Sequence, residues 1–186
     1  RTAAYLIAEV RPQVSGIIQK RLFTEGADVR SGQVLFQIDP ALYQAALARS
    51  EAQLTTLQLK EKRLKELLSD KAVSRQDYDD TSAALKSVQA EVQAARINLK
   101  YTTITAPISG RIGKSSVTVG ALVTAHQPVA LATIQQMDPM YVDVTQSTAD
   151  ILRLRNLLVK GQLDQNGKNQ KKVRLRMDDG AEYPLT

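Results

Sequence analysis

Two kinds of hydrophobic pattern divide the chain: short apolar runs broken by turn residues at its ends, and a heptad rhythm through its middle. Residues 5–38 carry the first kind, interrupted by Pro12, Gly16, Gly26 and Gly32. They read as short strands, with Val34-Leu35-Phe36-Gln37-Ile38 patterned for a strand buried on both faces. Asp39-Pro40 predicts a helix start, Asp as the capping residue and Pro at the first helical position. Apolar residues then fall at Tyr43, Leu47, Leu54, Leu57, Leu64 and Leu68, a four-three spacing with Ser50 and Glu61 as polar occupants. A loop is expected over Ser69-Asp70-Lys71-Ala72-Val73. Ser74 with Asp77 forms a capping-box-like start for a second helix. That helix carries Tyr78, Thr81, Leu85, Val88, Val92, Ala95 and Leu99 at unbroken heptad spacing. Two heptad helices joined by a short loop predict an antiparallel coiled coil, about 40 Å long at 1.5 Å per residue. Their remaining faces are rich in Gln, Lys, Glu and Arg, so the hairpin either stands in solvent or packs sideways on copies of itself.

The strand pattern returns after the hairpin, and it returns as a repeat. Val14-Ser15-Gly16-Ile17-Ile18 and Gly26-Ala27-Asp28-Val29 are matched by Ile108-Ser109-Gly110-Arg111-Ile112 and Gly120-Ala121-Leu122-Val123. Both glycine pairs are separated by 94 positions, 16 to 110 and 26 to 120. A repeat that keeps its turn residues in register predicts two copies of one strand-turn-strand unit. A lone hairpin is marginal in water, so each half needs the other to close a core. Gly16, Gly26, Gly110 and Gly120 are expected where φ is positive or strands approach closely. Beyond the repeat, Met140-Tyr141-Val142-Asp143-Val144 reads as a strand. Ser147 with Asp150 caps a short helix over 151–159, stopped by Gly161. A polar loop over 161–170, strands over 173–177 and 181–185, and a turn at Asp178-Asp179-Gly180 complete the pattern.

Composition narrows the chemistry. The chain has 186 residues, 43% hydrophobic and 24% charged, a globular balance. Cysteine is absent, which removes disulfides, zinc-thiolate sites and cysteine nucleophiles. No apolar run approaches a membrane span, and no signal-peptide pattern is present. The chain opens inside a strand approach at Arg1 and reads as a fragment, with targeting and anchoring segments outside it. The net charge of +6 is spread along helices and strands rather than gathered on a recognition motif, so no nucleic-acid partner is expected. His126 is the single histidine and reads as a surface turn residue. Asp138, Asp143 and Asp150 are dispersed over separate elements and make no recognisable acid–base pair. Neither a catalytic residue nor a cofactor is expected.

Several strings together resemble a known family: IAEVRPQVSGII, EGADVRSGQVLFQIDP, ARINLKYTTITAPISGRIGKS, GALVT and QQMDPMYVDVTQS. They are similar to periplasmic adaptors, or membrane fusion proteins, of resistance-nodulation-division (RND) multidrug efflux pumps. The resemblance implies an α+β multidomain, elongated chain, with an antiparallel coiled-coil α-hairpin inserted into a biotinyl/lipoyl-like β domain. On that basis 1–38 is the first lipoyl-like half, with 1–10 open to assignment to the barrel domain or its linker. The hairpin is 39–100, the second half 101–134, and 135–186 a partial β-barrel domain with one short helix. It also implies an adaptor linking an inner-membrane, proton-driven RND transporter to a TolC-type outer-membrane channel in a Gram-negative envelope. The adaptor would sit in the periplasm as a ring, six copies in the family, attached to the inner membrane by an N-terminal lipid or signal anchor outside this chain. Membrane contact would come through those outside regions. The family's docking motif at the hairpin tip is Arg, three residues, Leu, six residues, Ser. Arg63, Leu67 and Ser74 fit that spacing.

Competing readings attach to the same residues. Ser74 is already accounted for as a helix cap, and Leu67 lies beside heptad Leu64 and Leu68 and could belong to the core. Asp70-Lys71-Ala72 looks like a lipoyl-lysine tripeptide, but the helices carry Lys71 far from any turn between the half motifs. An adaptor of an ABC-type exporter, or a non-transport coiled-coil envelope scaffold, would share the hairpin. The Gln135-to-Gln146 string favours the RND type, and a scaffold would not need the duplicated halves.

Overall fold

The structure is a computed structural model describing residues 2–70, 72–142 and 147–159. It is an α+β fold. Strands β1 (Thr2–Val10), β2 (Gly16–Arg21), β3 (Asp28–Val29) and β4 (Val34–Ile38) precede helices α1 (Ala41–Ser69) and α2 (Arg75–Tyr101). Strands β5 (Thr103–Thr105), β6 (Gly110–Ile112), β7 (Leu122–Val123) and β8 (Ala132–Val142) follow, then helix α3 (Thr148–Val159). The strands form two four-stranded sheets, ordered β1-β8-β6-β3 and β5-β4-β2-β7. Ile18, Phe36, Ile38, Ile104 and Val123 from one sheet meet Val10, Val29, Ile112, Ala132 and Ile134 from the other in one buried core. The Val34–Ile38 run is strand β4, with Leu35, Phe36 and Ile38 fully buried.

The sequence repeat becomes an exchange of strands. β2 pairs not with β3 of its own half but with β7 of the other, Gly16 opposite Val123. The mate of that pair, 94 positions on, is Gly110 opposite Val29 in the β3–β6 ladder. Backbone bonds outside the ladders obey the same relation. Gly26 N–H donates to Ile112 O at 2.9 Å, and Gly120 N–H donates to Ile18 O at 2.8 Å. So do side chains. Ser109 Oγ accepts from Ser31 N–H, and Ser15 Oγ accepts from Ala125 N–H, each at 2.9 Å. Each serine thus satisfies a turn amide in the other half, which would otherwise need water.

His126 owes its place to this repeat. It is the mate of Gly32, whose φ is 83°, and it adopts φ 57° itself, the one non-glycine residue with positive φ among those described. His126 N–H donates to Pro12 O as Gly32 N–H donates to Ala106 O. The turn geometry therefore persists where the glycine does not.

The glycines do different work. At Gly110 a Cβ would come within 2.5 Å of Gln135 O and 2.8 Å of its carbonyl carbon, both backbone atoms of β8. At Gly16 the nearest atom would be Ile38 Cγ2, at 2.6 Å. Gly26 and Gly120 hold φ of 77° and 90° with open space around them.

The helices leave the sandwich at the end of β4 and return at the start of β5, which are neighbours in one sheet. Ile38 N–H donates to Thr102 O at 2.8 Å, closing the hairpin's base. α1 begins at Ala41, one residue later than expected, because Pro40 is the boundary residue. Asp39 lies one residue before the cap position it is expected to fill, and its Oδ1 accepts from Ala41 N–H at 3.0 Å. The expected heptad positions on both helices, including Ser50 and Glu61, are half-buried or buried. β8 runs past residue 134, where the second half is expected to end, to Val142, paired with β1 on both sides of a register shift between Ala4 and Leu6. The expected strand at 140–144 is thus the end of β8 as far as Val142, and 143–146 lie outside the described residues. α3 starts at Thr148, three residues before the expected 151, because Ser147 caps it directly: its Oγ accepts from Asp150 N–H and donates to Asp150 Oδ2 at 2.6 Å. The polar loop, the turn at 178–180 and the strands expected over 173–177 and 181–185 also lie outside the described residues.

Gly110→Ala must displace the β8 backbone and is expected to cost about 2 kcal/mol or more in denaturant unfolding. Gly32→Ala meets no atom within 4 Å, and its mate position already carries a side chain, so about 1 kcal/mol is expected. Equal costs for the two would show that close approach is not what selects glycine at 110.

Candidate functional site

The hairpin is held by a thin seam. α1 has no fully buried residue, and α2 has three, Thr81, Val88 and Val92. Two polar contacts cross between the helices. Tyr78 donates its hydroxyl to Glu61 Oε1 at 2.8 Å, and Arg96 reaches Glu51 at 2.8 Å. The first explains the carboxylate at a heptad position of α1: the facing residue on α2 is a phenol able to donate to it. That hydrogen bond, then burial, then the negative charges of Glu61 and Asp79, hold the Tyr78 hydroxyl above its ordinary pKa. The sequence lists both residues, but not that they face each other.

At the tip the chain turns in a few residues. Asp70 N–H donates to Glu66 O, and Ala72 N–H to Leu67 O at 2.9 Å. α2 then starts at Arg75, capped by Ser74, whose Oγ accepts from Gln76 N–H at 3.0 Å. The cap therefore engages the second helical amide rather than that of Asp77. Lys71, of the lipoyl-like tripeptide, lies outside the described residues.

The three motif residues are all exposed at this end of the hairpin. Leu64 and Leu68 are half-buried in the seam, while Leu67 lies off it and is 42% exposed. The core reading of Leu67 is therefore not supported: one helical position separates a seam leucine from an outward one. Arg63, four residues earlier, shares its flank. Its Nε donates to Leu59 O at 3.4 Å, leaving the terminal nitrogens for another acceptor. Ser74 spends an acceptor lone pair on its cap and keeps its hydroxyl hydrogen for donation. An apolar side chain, a guanidinium fork and a hydroxyl donor are thus all exposed at this end of the hairpin. The set suits contact with another protein surface.

Elsewhere the polar candidates do not converge. Asp150 is engaged by Ser147 at the start of α3, His126 occupies its turn, and Asp143 lies outside the described residues. Among the described residues no group of three or more His, Cys, Asp or Glu could hold a metal ion, and no helix is long and apolar enough to cross a membrane.

Comparison with known proteins gives one consistent result. The family model described as RND MFP, barrel-sandwich hybrid domain matches residues 6–135. Multidrug resistance protein MexA of Pseudomonas aeruginosa is 56% identical over 185 residues, covering 100% of this chain and 48% of that protein. Solvent efflux pump periplasmic linker SrpA of Pseudomonas putida is 55% identical over the same length, again 100% of this chain and 48% of that one. The chain thus spans about half the length of the curated relatives it matches. Among solved structures, a MacA–MexA chimera containing the P. aeruginosa MexA α-hairpin domain superposes with a TM-score of 0.67 at 37% identity, over 73% of this chain and 49% of that one. A putative efflux transporter from Bacteroides eggerthii has the same TM-score at 24% identity, over 73% of this chain and 41% of its own, and shares the fold.

Tyr78→Phe is expected to lower the melting temperature at pH 7, because Glu61 loses its donor in the seam. A raised phenol pKa means the neutral form is favoured by folding, so this stabilisation is present below the unfolded tyrosine pKa and lost as pH rises through the folded value. The gap between wild type and Tyr78→Phe should shrink above about pH 10. A gap that stays constant from pH 7 to 11 would show that the bond to Glu61 contributes nothing.

Proposed function

The chain belongs to the RND membrane fusion protein family, and from that premise we propose that it is part of a periplasmic adaptor for multidrug efflux. The adaptor links an inner-membrane, proton-driven RND transporter to a TolC-type outer-membrane channel. The two-sheet sandwich is its lipoyl-like domain, made of the halves 1–38 and 101–134, with the hairpin 39–100 as an insertion. Residues 135–186 belong to a β-barrel domain completed by chain outside this sequence, and that outside region carries the membrane attachment. Several copies, six by family resemblance, form a ring around the transport path. The protein performs no catalysis. The energy for transport comes from the transporter.

One observation carries the docking part of this reading: Leu67 and Arg63 stand off the helix seam, beside a capped serine, at the free end of the hairpin. An apolar knob flanked by a planar donor fork fits the end of a helical channel, where carbonyls and carboxylates are available as acceptors. The relatives named as efflux-pump periplasmic linkers support the rest.

The test is Leu67→Asp in the full-length protein, in cells whose efflux depends on it. A carboxylate at a desolvated apolar contact costs about 2 kcal/mol or more per copy, and copies in a ring compound it. Dye efflux should fall sharply at unchanged protein abundance. Undiminished efflux would place Leu67 outside the channel contact.

A further inference from the structure

A cavity of about 350 Å³ lies between equivalent segments of the two repeated halves. Residues 9, 10, 11 and 13 of the first half line it, and so do their mates 94 positions on, residues 103, 104, 105 and 107. Val10 and Ile104, one such pair, are both buried apolar residues of the sandwich core. The two remaining lining residues break the symmetry. Lys100 and Tyr101 end helix α2, whereas their mates, Leu6 and Ile7, lie in β1 and do not line the cavity. The return of the hairpin thus adds a cation and an aromatic ring to a groove built by the repeat.

Charge at this groove is one-sided. Glu9 is the one carboxylate in its lining, and Arg11 already holds it, with Nε donating to Oε2 at 2.9 Å. Arg11 also donates to Gln127 O at 2.8 Å, which anchors the guanidinium. Lys100 is not neutralised in this way: among the described residues it makes no ion pair. Its place in the last turn of α2 suits the helix dipole, and its ammonium keeps its donors for an anion. Val10, Tyr101, Ile104 and Pro107 supply apolar lining. The volume falls within the range of small-molecule pockets, roughly 300–1,000 Å³, which pair an apolar lining with a few polar groups.

We infer that this cavity binds a small amphipathic organic anion, its carboxylate on Lys100 and its planar apolar body against Tyr101, Pro107 and the Val10–Ile104 pair. Such a ligand touches the end of β1, the end of α2 and β5 at once. Because these segments come together only in the folded chain, binding also stabilises the fold. The site needs neither a ring nor a channel, so it goes beyond the adaptor reading and is tested by binding alone.

The probe is naphthylacetate, a planar hydrocarbon with one carboxylate, titrated into purified full-length protein in a calorimeter. Saturable binding of one equivalent per chain is expected, with a melting temperature that rises with ligand concentration. Naphthylacetamide has the same body without the charge and should bind at least tenfold more weakly. Lys100→Glu should weaken naphthylacetate at least tenfold, while Lys100→Arg keeps its affinity within about threefold. Thr105→Trp, at an exposed position of an edge strand, should fill the cavity and abolish binding of both compounds. No saturable binding, equal affinity for acid and amide, or binding unchanged by Lys100→Glu and Thr105→Trp would each overturn the site. The comparison of acid with amide uses the unaltered protein, so it decides even where a variant fails to fold.

Discussion

Neither half of the β sandwich can satisfy its own backbone. β2 takes its outer hydrogen bonds from β7, and β6 takes the equivalent ones from β3. The turn amides at Ser31 and Ala125 are satisfied by Ser109 and Ser15. Buried or half-buried backbone groups without partners are costly, so the first half depends on a second that lies 94 residues away. The chain must therefore leave and return at neighbouring strands. That closure holds the base of the hairpin, with Ile38 N–H on Thr102 O and Gln37 bonded to Thr102 and Thr103.

Such a mounting lets the hairpin be weak along its length. A two-helix seam buries only half of each apolar side chain, and here just three residues of α2 are fully buried. The polar bonds from Glu61 to Tyr78 and Glu51 to Arg96 add register more than energy, since both pairs stay partly in water. Register is what the distal end needs. It fixes which flank of α1 carries Leu67 and Arg63. A hairpin with a thick core would have had to bury those flanks.

The helical part was legible because burial in a coiled coil is written into sequence at a local period. Tyr43, Leu47, Leu54 and the rest face the seam as the heptad requires. The caps at Ser74 and Ser147, and the Asp39 bond just outside α1, were legible for the same reason: their partners are two or three residues away. The cross-half contacts were not. Nothing near Ser15 or Ser109 reveals that the amides they accept from lie 110 and 78 residues distant. Leu67 shows the boundary between the two cases. Spacing left it either core or outward, and one step of 100° around a packed helix put it outside the seam.

By itself, then, the sequence determined the periodic and the repeated: two heptad helices, their capped ends, and a strand unit present twice in register. Local propensity and spacing suffice there because each signal and its partner lie within a turn or share one pattern. Tertiary structure alone decided how the halves exchange strands, why Gly110 has no room for a Cβ beside Gln135 while Gly26 has space on every side, and that His126 holds a glycine's turn. It also decided that Glu61 meets Tyr78. These outcomes depend on the close approach of segments far apart in the chain, and such distances are not encoded by any residue's neighbours in sequence.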